Sequence, residues 1–376
     1  MKALFYELIR VSIGYQSSLS YIPNVQEWDK LYKMAEKQAL IGICFMGIKN
    51  LGADADTGFS KIGMTKMQYL NWMGMAFQIH EQNELRNKQC VKVHELLAKD
   101  GYKSCILKGQ AVASLYGTLT NLRQSGDIDV WMISPPNEAI KWARKTGVMY
   151  FYDYHHADLT LFSDTEVELH YRPSLSRNLI RNKRLQRWFD EEGTNHIIFK
   201  EDLGFSVPDY TFNVILTLNH NYWHLLYEGV GMRQHLDLYY VLKSKNKYSY
   251  AYSGKADNKE ILRLLRYFNL EKYASASMWI MSVIFGLERE YLLCEPDENA
   301  GRFLLDEIML AGNFGKHDER LKDGRYKNRW GLMLTWMRHT FRLFKYYPAD
   351  VLWTPIGILR ISLWRRVRYI REKELK

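Results

Sequence analysis

From Gln26 to Ala98 apolar residues return every three or four positions, the spacing of a helix face. The segment "EWDKLYKMAEKQALIGICFMGIKNL" sets Trp28, Leu31, Met34, Ala35 and Leu40 in that rhythm. After a break at "LGADADTG", a second helical pattern runs from about Lys61 to Lys99. Gly101, in "KDGYK", suits a C-terminal cap. The opening "MKALFYELIRVSIGYQ" reads as an amphipathic helix. Glu7 and Arg10 interrupt its apolar stretch and no small-residue cleavage site follows, so a signal peptide is not expected.

The texture then changes. "SCILKG" reads as a strand, "QAVASLYG" as a short helix and "DIDVWMI" as a second strand. "NEAIKWARKTG" is a helix closed by glycine. "HADLTLF" and "VELHYR" alternate like strands, with "SDTE" as the hairpin turn between them, and "HIIFK" adds another strand. From Pro208 the helical rhythm returns, in "DYTFNVILTLNHNYWHLLYEG", in "GMRQHLDLYYVLKSK" and in a last segment with two proline breaks and a basic end. The expected fold class is α+β, a small mixed β-sheet core flanked by N-terminal and C-terminal helical regions. The regions divide as 1–95, 96–206 and 207–376. There is no internal repeat and no low-complexity segment.

Composition narrows the class. With 47% hydrophobic residues, the chain can build a substantial core. Cys44, Cys90, Cys105 and Cys294 are widely spaced, which argues against a zinc ribbon or a disulfide framework and fits a reducing cytoplasm. No apolar run approaches about 18 residues, so no membrane span is expected. The net charge of +10 suits a polyanionic partner: a nucleoside triphosphate, a phosphorylated substrate, nucleic acid or anionic lipid.

The candidate chemistry lies in "LRQSGDIDVWM". Side chains two apart on a strand share a face, so Asp127 and Asp129 project together while Ile128 and Val130 pack behind. Two carboxylates on one face repel. A divalent cation resolves the repulsion, and oxygen ligands favour Mg2+ or Mn2+. In "EVELHYR", Glu166, Glu168 and His170 share a face, and either glutamate could complete a three-carboxylate site. Such a site can hold two ions for phosphoryl or nucleotidyl transfer. A lone D-x-D also occurs in turns, helix caps and solvated strand faces, so the pair alone does not decide.

The combination of "ILKGQAVASLYG", "NLRQSGDIDVWM", "VELHYR" and "GVGMRQHLDLYYVL" resembles the uncharacterised nucleotidyltransferase family of bacteria, within the DNA polymerase β-like nucleotidyltransferase superfamily. "EWDKLYKMAEKQALIGICFMGIKNL" is similar to that family's N-terminal helical region. The resemblance implies a magnesium-dependent enzyme that moves a nucleoside monophosphate from a triphosphate such as ATP to an acceptor hydroxyl. The acceptor would be a small molecule, a sugar or a protein, with nucleic acid less favoured. It also implies Asp127, Asp129 and Glu168 as the metal-binding and catalytic acids, with Glu168 as the third. The turn departs from the superfamily's usual Gly-Gly or Gly-Ser, being Lys-Gly-Gln, with a longer gap to the acid pair.

Around these acids stand the expected nucleotide-binding residues. Lys108 and Gly109 precede a helix whose N–H groups attract phosphate. Arg123 clamps a phosphate or pairs with an acid, and Ser125 lies in the loop before the pair. Arg233 and Gln234 face the cleft, unless Arg233 pairs with Asp237 one turn on. His170 touches the acceptor, supports a ligand carboxylate or is a core histidine. His155 and His156 are not expected to be ligands. His220 and His224 have zinc-compatible spacing but no evident partners. The clusters Arg177–Arg187 and Arg365–Arg371 read mainly as solvated helix faces. Two rival readings stand beside the enzyme: an inactive nucleotidyltransferase-fold binding module, and a D-x-D glycosyltransferase, which would need a larger sheet before the pair.

Overall fold

The computed structural model describes residues 1–245, 258–318 and 341–374. The chain opens with α1 (Lys2–Ser12), α2 (Val25–Lys37), α3 (Ile41–Asn50), α4 (Gly58–Lys61) and α5 (Lys66–Lys99). Capping boxes start two of them. Asn24 with Glu27, and Thr65 with Gln68, exchange side-chain and backbone hydrogen bonds that satisfy N–H groups the helix leaves open. The 34 residues of α5 span about 50 Å at the usual rise. Gly101, at φ +85°, turns the chain out of it as the sequence suggests.

The sheet follows. Strands β1 (Ser104–Leu107), β2 (Ile128–Met132), β3 (Met149–Tyr152), β4 (His156–Leu159) and β5 (Val167–His170) lie in the order β1-β2-β5-β4-β3. Only β2 and β5 run parallel; the other pairs are antiparallel. α6 (Gly109–Ala113) and a 3-10 segment (Ser114–Leu122) connect β1 to β2, and α7 (Pro136–Lys145) connects β2 to β3. The α+β class therefore holds. "HIIFK" forms β6 (Ile197–Lys200), but it pairs with β7 (Phe205–Pro208) in a separate hairpin rather than joining the main sheet.

Alternation along β2 divides its side chains between two cores. Ile128, Val130 and Met132 pack with Val93 and Leu97 of α5 and Ile140 of α7. Trp131 points the other way, into a larger core shared by the N-terminal and C-terminal helices. The acids lie on that second face, between the sheet and the helices packed across it.

Those helices are α8 (Leu179–Glu191), α9 (Tyr210–Tyr227), α10 (Met232–Lys243), α11 (Asn258–Tyr267), α12 (Glu271–Val283), α13 (Glu298–Ala311) and α14 (Pro348–Glu374). α9 is buried nearly all round, and its buried Asn213, Asn219 and Asn221 side chains donate hydrogen bonds to Pro208 O, Ser174 Oγ and Gln234 O. α14 continues through Pro355, so this proline does not end the helix. It removes one internal N–H donor of the helix. Among the described residues, no helix is long and apolar enough to cross a membrane.

The basic clusters are less solvated than their composition suggests. Arg181 is buried and binds Asp350 of α14 through Nη1 (2.5 Å) and Nη2 (2.9 Å). Tyr222 of α9 donates to the same carboxylate at 2.8 Å. The guanidinium of Arg177 stacks over the rings of Trp223 and Tyr227. These arginines tie the C-terminal helices to the segment behind β5.

Candidate active site

Between the sheet and α9–α10 lies a cavity of about 720 Å³. Its floor is the acid face. The parallel pairing of β2 and β5 sets Asp129 directly beside Glu168, and β4 sets Asp158 beside Glu168 and His156 beside His170. Three adjacent strands, β2, β5 and β4, thus gather acids and histidines on one face.

Asp129 is the most heavily bonded of these. Lys108 donates to its Oδ1 at 2.6 Å, and His170 Nε2 lies 2.7 Å from the same atom. Burial works against the charge of Asp129, yet the Lys108 ammonium and His170 hold its carboxyl well below the usual range. Burial likewise opposes Glu168, but His170, 3.1 Å away, lowers it. His170 itself resists burial through its bonds to Asp129 and Glu168 and is raised to about 9.

Asp127 differs. It sits just before β2 at the mouth of the cavity and is exposed to solvent. Protein crowded around the carboxyl, with the charges of Asp129 and Glu168, pushes it up to about 6. Asp129, Glu168 and His170 have ligand atoms within 4.8 Å of one another; Asp127 is not part of such a cluster. Glu166 lies outside β5, exposed, its side chain bonded by the Tyr150 hydroxyl. The structure thus brings Glu168, and not Glu166, beside Asp129.

Lys108 follows β1 with φ +46°, a conformation that costs a non-glycine residue about 1–3 kcal/mol. It begins α6, with Gly109 as the first helical residue. Burial disfavours its ammonium, but Asp129 and Glu168 keep its pKa raised.

The loop feeding the acid strand is clamped from both sides. From α5, Asn83 donates to the carbonyls of Asn121 and Arg123, at 2.8 Å each, and accepts the Ser125 hydroxyl at 2.5 Å. Arg86 donates to Gly126 O at 2.7 Å. From α10, Arg233 donates to Gln124 O at 2.7 Å. Asp237 accepts Arg123 Nε at 2.6 Å and Nη2 at 2.8 Å, and the Tyr116 hydroxyl at 2.6 Å.

These bonds change the parts played by several expected residues. Arg123 spends two of its three guanidinium nitrogens on Asp237, across 114 residues of chain, so it serves as a buried clamp. Only its Nη1, buried and unpartnered, remains toward the cavity it lines. Ser125 is bonded to α5 and is not among the lining residues. The intrahelical pairing of Arg233 with Asp237 gives way to these two loop contacts. Arg233 does line the cavity, its guanidinium over the Phe314 ring. Gln234 uses Oε1 to cap Gly231 N–H, and its Nε2 is buried without a partner in the cavity wall.

Histidines supply the other wall. His220 and His224 bond each other at 3.0 Å, and among the described residues they belong to no three-residue cluster of metal ligands. Burial holds His220, and likewise His155, well below the ordinary pKa, so both are neutral. His155 and His156 stand closer to the acids than expected. His156, His155 and His170 form one compact group, and His156, Asp158 and Glu168 another. The alternation in "HHADL" mirrors "VELH", but only the antiparallel register of β4 on β5 shows that the two patterns meet.

A family model described as an uncharacterised nucleotidyltransferase matches residues 24–286 of the 376-residue chain. No curated protein and no solved structure matches it.

Proposed function

The chain belongs to the uncharacterised nucleotidyltransferase family, and from that premise we propose that it moves a nucleoside monophosphate from a nucleoside triphosphate to an acceptor hydroxyl, releasing pyrophosphate. The observation that carries this reading is the register that seats Asp129 beside Glu168, with Asp127 leading the same strand into the cavity. The donor set fits Mg2+ or Mn2+. It consists of hard carboxylate oxygens, and the Asp127 carboxyl, raised by burial first and then by the charges of Asp129 and Glu168, stands beside two further acids that a cation would offset. Held by Asp127, Asp129 and Glu168, such a cation would lower the pKa of the attacking hydroxyl and neutralise the leaving pyrophosphate.

The chain's own groups have separate tasks. Lys108 turns its ammonium from Asp129 toward the triphosphate. Arg233 and the free Nε2 of Gln234 orient the nucleotide from the facing wall. Glu168, steadied by His170, accepts the proton of the acceptor hydroxyl. The volume suits a nucleotide and a small acceptor group together. Helices and β1 alone precede the acid pair among the described residues, which leaves the larger sheet of a D-x-D glycosyltransferase without support.

The test offers each NTP, labelled at the α-phosphate, with Mg2+ and a panel of sugar, small-molecule and protein acceptors. Label transfer with pyrophosphate release that Asp129→Asn abolishes supports the reading; equal transfer by that variant contradicts it. One observation favours a second reading. Lys108 and His170 already neutralise Asp129 within the protein, as suits an inactive nucleotide-binding module. That module would bind NTP and release no pyrophosphate.

A further inference from the structure

α14 is amphipathic in reverse. Its inner face is polar: Asp350 takes the buried Arg181, Arg365 pairs with Asp153, and Arg360 lies over the Tyr154 ring. Gly357 rides so close to the Arg177 backbone that a Cβ there would come within 2.4 Å of its carbonyl oxygen. The outer face is apolar. Leu352, Ile356, Leu359, Leu363, Val367 and Ile370 are each between 46% and 65% exposed. Their spacing of three and four draws one stripe, about 27 Å long at 1.5 Å per residue. Phe341 and Phe344, also exposed, precede it in the chain.

Scattered exposed apolar residues are ordinary, but a continuous stripe marks a contact surface. Charge identifies the contact. From Val351 to Arg371 the chain carries five arginines and no acid, and Arg366 stands exposed within the stripe. A second copy of the chain would bring the same +10 charge and be repelled. We propose that the outer face of α14 lies in the surface of an anionic phospholipid bilayer, with the stripe among the upper acyl chains and arginine at the headgroups. A helix too charged to span is suited to lie in that plane. The same helix walls a side pocket with Asp153, Arg177 and Trp223, which also line the main cavity. Docking would therefore hold the cavity beside the bilayer. The proposal does not depend on the chemistry of the acids.

The test is flotation of the full chain with vesicles of phosphatidylglycerol and phosphatidylcholine, against vesicles of phosphatidylcholine alone. Binding to the anionic vesicles is expected to exceed the neutral ones by roughly tenfold and to fall at about 0.5 M salt. The double substitution Leu359→Glu and Leu363→Glu is expected to reduce it by a further tenfold or so without lowering the melting temperature, since both side chains are exposed. Should that variant melt early, Arg366→Glu, which removes only the exposed cation, is expected to weaken anionic binding alone. Equal binding by wild type and variants, or equal binding to neutral vesicles, overturns the proposal. So does a concentration-dependent dimer, abolished by the same substitutions, with no vesicle binding.

Discussion

Asp129 and Glu168 face each other across the parallel ladder of β2 and β5, although α7, β3 and β4 separate them in the chain. A slip of one residue in β5 would turn Glu168 to the opposite face, away from Asp129. The pairing therefore separates the two glutamates that the sequence leaves equivalent. Mg2+ or Mn2+ is expected to raise the melting temperature of the wild type and of Glu166→Gln, and to leave Glu168→Gln unmoved. At a hundred times the dissociation constant the gain is about 2.7 kcal/mol. Thermal melts with and without the ion check this; protection lost in Glu166→Gln and kept in Glu168→Gln would exchange their roles.

Arg123 and Asp237 hold the acid loop to α10. Removing one partner of a buried ion pair strands the other, at a cost of about 3–5 kcal/mol. Asp237→Ala is therefore expected to lose stability in chemical denaturation by roughly that amount. A variant of normal stability would show that the pair is not a clamp.

Asn83 acts from the other side. Its amide serves two loop carbonyls and the Ser125 hydroxyl. Asn83→Ala leaves buried groups unsatisfied, worth about 1–3 kcal/mol, and is expected to weaken metal binding although Asn83 touches no acid of the site. Metal titration of the folded variant decides; unchanged affinity would make the bond purely structural.

His196 gives a pH signature away from the acids. Its Nδ1 lies 2.7 Å from Asp209, which also caps the first turn of α9. Burial opposes the charged imidazole, but Asp209 outweighs it and raises the pKa. The stabilisation is thus complete below the ordinary histidine value of about 6.5 and disappears as pH rises through the raised value. The melting difference between wild type and His196→Gln is expected to be larger at about pH 5.5 than at about pH 9. A difference that grows with pH would reverse the assignment.

What the sequence made legible was local. The apolar and acidic positions of "DIDVWM" alternate cleanly, so β2 and its acid face can be read directly. α5 and α9 announce themselves by periodicity and caps. β3, in "MYFY", has no alternation to mark it, and β7 ends on Pro208, where the apolar spacing turns helical. α8 carries so many arginines that it resembles a solvated face, until Arg181 is seen to be buried against Asp350. Most of what was hidden is long-range. The Arg123–Asp237 clamp, the meeting of "HHADL" with "VELH" and the outward apolar stripe of α14 depend on tertiary register, which spacing along the chain does not encode.

Asp127, Asp129 and Glu168 are expected to bind a metal that in turn holds the nucleotide. Isothermal titration of NTP into the wild type, with and without Mg2+, tests it without knowledge of the acceptor, alongside Asp129→Asn. NTP binding is expected to require Mg2+ and to be lost in Asp129→Asn. Binding of equal strength with or without the ion, and in both proteins, would contradict it.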